Sequence, residues 1–217
     1  MPATFRRVTS LESDRRIPGN LVVEIDGRRF TSLPADTIAA IGIEERADLS
    51  GAQFERLEHA ADVEAAHIVA VRILTAMPRA VQELKRRLRQ KGHEASIAEE
   101  AVGRLEAAGL LDDQKFAEYF TRSRLARGHG PPRILTDLLS RGVERSLAER
   151  SITEVVEDEE VDSNEKARAL AEKRAAQLGD LPWDTKRRRM LAYLGRRGFR
   201  GYEVTEIVDE VLASANL

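Results

Sequence analysis

Clusters of arginine and lysine are the residues of this chain whose type and spacing indicate a chemical role. Two runs of cations fall in segments with helical character, at residues 85–91 and 186–197, and a third set lies between them. Guanidinium groups form paired hydrogen bonds with phosphates and with carboxylates alike. The clusters therefore predict a surface for an anionic partner, either DNA phosphate or an acidic protein. The predicted contact residues are Lys85, Arg86, Arg87, Arg89, Lys91, Arg122, Arg124, Arg127, Arg133, Arg141, Lys186, Arg187, Arg188, Arg189, Arg196 and Arg197.

The distribution of charge along the chain supports this interpretation. Residues 1–67 hold 8 basic and 12 acidic side chains (net −4), residues 68–150 hold 16 and 11 (net +5), and residues 151–217 hold 11 and 14 (net −3). A basic middle segment between acidic flanks indicates an anionic partner, although an excess of this size is also usual for solvated helices. The acidic run Glu157–Glu160 is predicted to be a solvated linker or the end of a helix, in preference to a Mg²⁺ site or a mimic of DNA.

The residues that would support catalysis or metal binding do not occur at suitable spacings. The four histidines show no zinc-ligand pattern, and no nucleophile or nucleotide-loop motif is present. The four histidines are His59, His67, His93 and His129. Gly128-His129-Gly130 is too short for a nucleotide cradle, so a helix stop before Pro131 is predicted instead. We therefore expect neither an enzyme nor a bound cofactor or metal.

Composition favours a helical intracellular protein. Ala, Leu, Arg and Glu dominate, and there are no cysteines, so disulfides and thiolate metal sites are excluded. The sequence has no long apolar segment near its start and no stretch approaching about 18 apolar residues. A cytoplasmic protein without membrane contact is expected.

The N-terminal segment is the part with strand character. Leu21–Ile25 and Arg28–Leu33 flank Asp26-Gly27, which predicts a two-residue hairpin turn. Thr4–Leu11 is predicted as a third strand, because a hairpin alone is marginally stable. A short helix is expected from Pro34 to Gly42.

A longer helix is predicted to follow. Ser50 and Gln53 form a capping box, and Met77-Pro78 ends the helix because proline lacks the amide donor. The buried face is predicted from a three-and-four spacing, with the members Phe54, Leu57, Ala61, Ala65, Ile68 and Arg72.

Three glycines mark an internal repeat. A leucine lies four residues before each of Gly92, Gly142 and Gly198, a cation lies immediately before each, and a second apolar helix follows. The apolar positions at −8 and −4 are Leu84 and Leu88, Ile134 and Leu138, and Met190 and Leu194, and those at +10 are Val102, Ile152 and Val208. This pattern predicts a helix with one buried face, a cation in its last turn and a left-handed glycine after it.

A further helix precedes each pair, at His67–Ala76, Asp113–Ala126 and Glu165–Leu178. The predicted fold is therefore mainly α, with three tandem three-helix repeats after a small hairpin-containing segment. We expect a β-rich segment at 1–49, a connecting helix at 50–66, and repeats at 67–111, 112–160 and 161–217.

The ordered set of motifs resembles the RecX family, whose members regulate RecA-type recombinases. The central motifs are Gly109-Leu110-Leu111-Asp112-Asp113, Phe116-Ala117-Glu118-Tyr119, Arg122-Ser123-Arg124, Gly128-His129-Gly130-Pro131, Ile134 and Arg141-Gly142-Val143. Supporting motifs are Glu83-Leu84-Lys85, Leu88 to Gly92, Lys186-Arg187-Arg188 and Leu194 to Phe199. The resemblance spans residues 67–212. His93, and Arg79-Ala80 at a helix start, depart from the family pattern.

The resemblance implies a curved array of helical repeats without cofactor or reaction of its own. It implies a protein that lodges in the groove of a recombinase filament on single-stranded DNA and lowers ATP hydrolysis, strand exchange and co-protease activity. A monomer is expected because no long coiled-coil heptad pattern indicates an obligate dimer. It places Leu110, Leu111, Phe116 and Tyr119 mostly in the core of the second repeat and gives the arginines the contacts. Charge reversal at Arg122 and Arg124 is expected to weaken partner binding without changing the melting temperature.

One alternative interpretation is a stand-alone nucleic-acid-binding helical protein, because short helix–glycine–helix units also occur in helix-turn-helix proteins. Weak direct contact with single- or double-stranded DNA fits both readings. Against this alternative, the net charge is only −2 and few aromatic residues are available for stacking on bases. The salt dependence of DNA binding distinguishes the two interpretations.

Overall fold

The structure is a computed structural model that describes residues 6–214. The strands are β1 (Arg6–Ser13), β2 (Asn20–Ile25), β3 (Arg28–Pro34) and β4 (Asp48–Leu49). The helices are α1 (Ala35–Ile41), α2 (Gly51–Ala76), α3 (Val81–Gln90), α4 (Ala95–Ala107), α5 (Asp113–Ala126), α6 (Pro131–Ser140), α7 (Arg145–Asp158), α8 (Ser163–Ala175), α9 (Trp183–Arg196) and α10 (Tyr202–Ser214). The chain divides into two compact units, one with residues up to 78 and 84–111 and the other with 79–83 and the chain from 112 onward.

The first unit begins with an antiparallel sheet in the order β3-β2-β1-β4. The predicted hairpin is confirmed, and Asp26 and Gly27 both have positive φ (52° and 77°), as a turn with the twist of the strands requires. The strand predicted at Thr4–Leu11 is found at Arg6–Ser13, with Thr4 and Phe5 outside the described residues. Strand β4 was not predicted, because two residues are too few for a periodic pattern.

Helix α2 starts and ends as predicted, but its predicted buried face is wrong beyond Leu57. The Ser50–Gln53 capping box is present. The helix buries Ala60, Val63, Ala66 and Ala70, whereas Ala65 and Arg72 are exposed. Its first turns pack against the sheet and its later turns against α4, so the buried stripe shifts along the helix. An alanine-rich sequence does not reveal such a shift, since alanine occupies both faces.

The three-helix repeats are confirmed. The six residues at −8 and −4 from the repeat glycines are all 0% exposed, and the three at +10 are buried as well. Gly92, Gly142 and Gly198 have φ of 96°, 88° and 96°, the left-handed conformation expected after a helix end. The periodicity therefore identified the cores of the repeats correctly.

In the second unit, the glycine after one helix packs against the start of a helix from the preceding repeat. A Cβ on Gly142 would lie 2.4 Å from Gln82 Cβ in the first turn of α3, and one on Gly198 would lie 2.8 Å from Arg133 N in the first turn of α6. Gly130 N–H also donates to the Arg197 carbonyl at 2.7 Å. The C-terminal end of one helix thus meets the N-terminal end of the corresponding helix in the preceding repeat, an alignment in which the helix dipoles attract.

Candidate partner-binding surface

Helix α5 carries the central motif and is held by a side-chain cap. Asp112 Oδ1 accepts from the amides of Gln114 and Lys115 at 2.9 and 3.0 Å, and the Lys115 amide is the main cause of a lowered Asp112 pKa. The helix buries Phe116 on the face that contacts α7. Tyr119 lies about one turn after Phe116, outside the buried stripe of the helix, and is 60% exposed.

Two of the four apolar residues predicted to lie in the core of the second repeat are exposed instead. Leu111 and Phe116 are each 8% exposed, as expected, but Leu110 is 64% exposed in the turn after α4. Tyr119 is exposed because Ala117, Thr121 and Leu125 occupy the buried stripe of α5. The core assignment of Leu110 and Tyr119 is thus wrong.

Phe120 is flanked by two of the predicted contact arginines. The guanidinium carbons of Arg124 and Arg141 lie 4.8 and 4.7 Å from the centre of its ring. Asp137, 8% exposed, lies 3.8 Å from Arg124 Nε and 3.1 Å from Arg133 Nη2. Its carbonyl accepts from Arg141 Nη1 at 2.8 Å. Arg124 and Arg141 therefore stabilise the second repeat through contacts with Phe120 and Asp137.

Other predicted contact residues also form ion pairs within their own unit. Arg141 Nε lies 3.8 Å from the buried carboxylate of Glu83, and Lys85 Nζ lies 2.5 Å from Glu99. The Arg187 guanidinium forms two hydrogen bonds with Asp209, at 2.6 and 3.1 Å. Arg122 lies within 3.8 Å of three carboxylates, those of Glu118, Asp158 and Glu159. Arg197 stacks on Tyr193 at 4.1 Å.

A second set of the predicted residues is exposed and forms no ion pair with any residue from 6 to 214. This set is Arg89, Lys91, Arg127, Arg188, Arg189 and Arg196. Arg86 is also exposed, whereas Arg87 and Lys186 are half-buried. Arg189 and Arg196 lie two turns apart on α9, opposite the buried Met190 and Leu194, and Arg188 flanks them. We call Arg188, Arg189 and Arg196 the α9 arginine face.

The histidines are placed singly. His129 lies beside Arg124, and its pKa is lowered by partial burial and next by that guanidinium. His59 pairs with Glu100 at 2.7 Å between Nε2 and Oε2. The described part of the chain contains no group of three or more histidine or carboxylate side chains that could hold a metal ion. Within the same residues, no helix is both long and apolar enough to cross a membrane.

Comparison with known proteins gives consecutive matches along the helical part. Family models described as RecX, first, second and third three-helix domain match residues 66–105, 112–152 and 160–208. The regulatory protein RecX of Halorhodospira halophila is 38% identical over 148 residues, which cover 68% of this chain and 88% of that protein. That of Amycolatopsis mediterranei is 33% identical over 141 residues, covering 64% and 79%. These relatives are named as regulatory proteins and not after a reaction.

Solved structures show the same fold. A crystal structure of regulatory protein RecX superposes with a TM-score of 0.74 at 18% identity, covering 94% of this chain and 99% of that one. The crystal structure of RecX from Lactobacillus salivarius superposes with a TM-score of 0.55 at 22% identity, covering 71% and 97%.

Proposed function

This chain belongs to the RecX family of regulatory proteins, and we propose that it binds the filament of a RecA-type recombinase on single-stranded DNA. In this proposal it lowers the ATPase, strand-exchange and co-protease activities of the filament, and so acts in recombination, DNA repair and the SOS response. It acts in the cytoplasm as a binding protein, without cofactor or reaction of its own. The family membership rests on matches to all three helical domains.

The α9 arginine face is the observation that carries the proposal. Its three guanidiniums are exposed and none has a carboxylate partner among the described residues. An arginine fork left free in this way can form paired hydrogen bonds with an anionic partner at little cost, because no internal ion pair is broken. We therefore propose that Arg89, Lys91 and Arg127 also contact the partner, and that Arg124, Arg141 and Arg187 serve the fold.

The test is ATP hydrolysis by the cognate RecA-type recombinase on single-stranded DNA, with this chain titrated in. A filament regulator is expected to inhibit well below one molecule per recombinase subunit, because one bound molecule affects many subunits of a filament. A chain that leaves the rate unchanged at equimolar concentration does not regulate this filament, and the proposal is then wrong.

A matched pair of variants tests the surface. Arg188→Glu, Arg189→Glu and Arg196→Glu together are expected to raise the half-inhibitory concentration by about tenfold or more, a loss of about 1.4 kcal/mol in binding. The control variant reverses three other exposed cations of the second unit, Arg145, Arg150 and Lys173, and so has the same net charge. Equal loss in both variants would mean that net charge, and not the α9 face, governs binding.

Direct binding to single-stranded nucleic acid is a second candidate function, favoured by exposed aromatic residues in the third repeat. Tyr202 is 76% exposed and Trp183 is 44% exposed, and exposed aromatic rings can stack on bases. If three cations neutralise phosphates, the logarithm of the binding constant should fall with a slope of about −2 against the logarithm of salt concentration. Steep salt dependence on bare DNA without ATPase inhibition would favour this function.

A further inference from the structure

The first unit contains a cavity that the helical family domains do not form alone. Its volume is about 770 Å³, within the range of pockets that bind ligands. The turn after β1 and residues of β2 and β3 form one wall, and one side of α2 forms the other. The sheet residues precede the first matched family domain, which begins at residue 66. The cavity therefore belongs to the combination of the N-terminal sheet with the first helical domain.

Two buried carboxylates lie in this cavity. Asp14 is 6% exposed, and its Oδ2 lies 2.9 Å from Arg29 Nη2. Glu64 is 7% exposed and accepts from Asn20 Nδ2 at 3.3 Å through Oε1. Its second oxygen, Oε2, lies 3.8 Å from Arg104 Nη1, which is beyond hydrogen-bond length. A buried carboxylate gains stability from further donors, so Oε2 is suited to accept an N–H from a ligand.

The walls between these charges are apolar. Ile17 and Pro34 face the cavity from the sheet side, and Ile68 and Val71 face it from α2. Val71 is 38% exposed, so part of its apolar surface is open to a group that enters the cavity. An aliphatic group that entered here would remove apolar surface from water on both sides.

The remaining charge in the cavity is positive. Four arginines line it against Asp14 and Glu64, which leaves a formal excess of +2. Arg29 pairs with Asp14, and Arg104 lies beside Glu64 and Glu100. The other two, Arg16 and Arg72, are exposed and form no ion pair with the described residues. The excess positive charge is therefore carried by two uncommitted guanidiniums, one from each wall.

We propose that this cavity binds a short acidic segment of a protein partner. A carboxylate of the segment pairs with Arg16 and Arg72, and an adjacent aliphatic side chain enters between Ile17 and Val71. A backbone N–H of the segment donates to Glu64 Oε2. A peptide supplies all three groups at neighbouring positions, whereas the sugar–phosphate backbone of a nucleic acid carries neither an aliphatic side chain nor an N–H donor.

The proposal can be tested without recombinase, so it succeeds or fails independently of the function proposed above. The probe is a fluorescent peptide of alternating Asp and Leu with blocked ends, titrated with the full chain and followed by fluorescence anisotropy. We expect a dissociation constant below about 1 mM. A peptide of alternating Lys and Leu is expected to show no binding in the same range, because it presents the wrong charge to the two arginines.

Charge-matched variants locate the binding. Arg16→Glu with Arg72→Glu is expected to weaken binding of the acidic peptide by about tenfold or more. Arg15→Glu with Arg28→Glu changes two exposed arginines of the same unit that do not line the cavity, and binding should stay within about twofold. A third variant, Val71→Trp, fills the cavity without a change in charge and should also weaken binding.

Several results would overturn the proposal. Failure of the wild-type chain to bind the acidic peptide at about 1 mM would do so, since that affinity is the weakest that the three contacts predict. Equal weakening in the control variant, or unchanged binding in Val71→Trp, would place the peptide elsewhere. Displacement of the bound peptide by an oligothymidylate of equal charge would show that the cavity accepts nucleic acid instead. Circular dichroism of each variant confirms that the fold is intact.

Discussion

Replacing the glycine after α6 by alanine should destabilise the protein more than the same change after α3. Gly142 and Gly92 have nearly the same backbone conformation, with φ of 88° and 96°. A left-handed alanine costs about 1–2 kcal/mol at either position. A Cβ on Gly92 would meet no described atom within 4 Å, whereas one on Gly142 would lie 2.4 Å from Gln82 Cβ and 3.1 Å from its Cγ. Such overpacking adds about 1–3 kcal/mol.

We therefore expect Gly92→Ala to lower the free energy of unfolding by about 1–2 kcal/mol and Gly142→Ala by about 2–5 kcal/mol. Urea denaturation followed by helical circular dichroism measures both values. Equal losses in the two variants would show that left-handed strain alone accounts for the cost and that the contact with α3 is unimportant. The comparison is controlled internally, because the residue change and the backbone angle are the same.

A double-mutant cycle isolates the contact itself. Removal of the Gln82 side chain leaves its Cα 3.7 Å from the new Cβ, an ordinary contact distance. Gln82→Gly costs about 1 kcal/mol alone through lost helix propensity, but in the Gly142→Ala background it also relieves about 1–3 kcal/mol of overpacking, so its net effect there should be a gain of about 0–2 kcal/mol. The same Gln82→Gly change should be additive with Gly92→Ala. Additivity in both backgrounds would refute the proposed packing of α6 against the first turn of α3.

Three further predictions concern the central repeat. The pKa of His129 is lowered from 6.5 by partial burial, so the unfolded chain takes up a proton first as pH falls. The stability of the fold should therefore decrease below about pH 6.5. In His129→Gln the melting temperature should depend less on pH between about pH 7 and pH 5 than in the wild type. Asp112→Ala should cost about 1 kcal/mol in urea denaturation at neutral pH. Because the Lys115 amide lowers the pKa of Asp112 from 3.8, this difference should disappear as pH falls below that value. Arg124→Ala should lower the free energy of unfolding by about 1–2 kcal/mol through loss of the Phe120 and Asp137 contacts, whereas Arg122→Ala should lower it by less than about 1 kcal/mol. Equal melting temperatures of the two variants would refute the internal role of Arg124.

The positions that the sequence identified correctly are those where a local rule determines the structure. A helix followed by a left-handed turn favours glycine whatever the rest of the fold does, so Gly142 and Gly198 were recognisable from spacing alone. The Asp26-Gly27 turn and the Ser50 cap depend in the same way on a few neighbouring residues. Each of these features involves backbone angles or hydrogen bonds within about four residues.

The arginines could not be sorted from the sequence, because their partners are distant along the chain. Arg141 is paired with Glu83, and Arg187 with Asp209. A helical pattern assigns every cation to the solvent, since the pattern does not record which carboxylate the fold brings near. The charge reversal of Arg122 and Arg124 that the sequence suggested therefore changes two residues in different environments. The side chain of Arg122 is 45% exposed, whereas that of Arg124 is 23% exposed.

The packing of helix ends in the second unit explains why equivalent positions in the repeats serve different purposes. Arg141 and Arg197 precede glycines that contact the preceding repeat, and both guanidiniums are held within the unit, the first by Glu83 and the second by Tyr193. Lys91 precedes Gly92, which has no such neighbour among the described residues, and its side chain is exposed. The cation before the repeat glycine therefore forms internal contacts in the second and third repeats, which follow another repeat, and is exposed in the first repeat, which does not. We therefore expect partner contacts at exposed cations that form no ion pair with the described residues, such as Lys91 in the first repeat and Arg189 in the third.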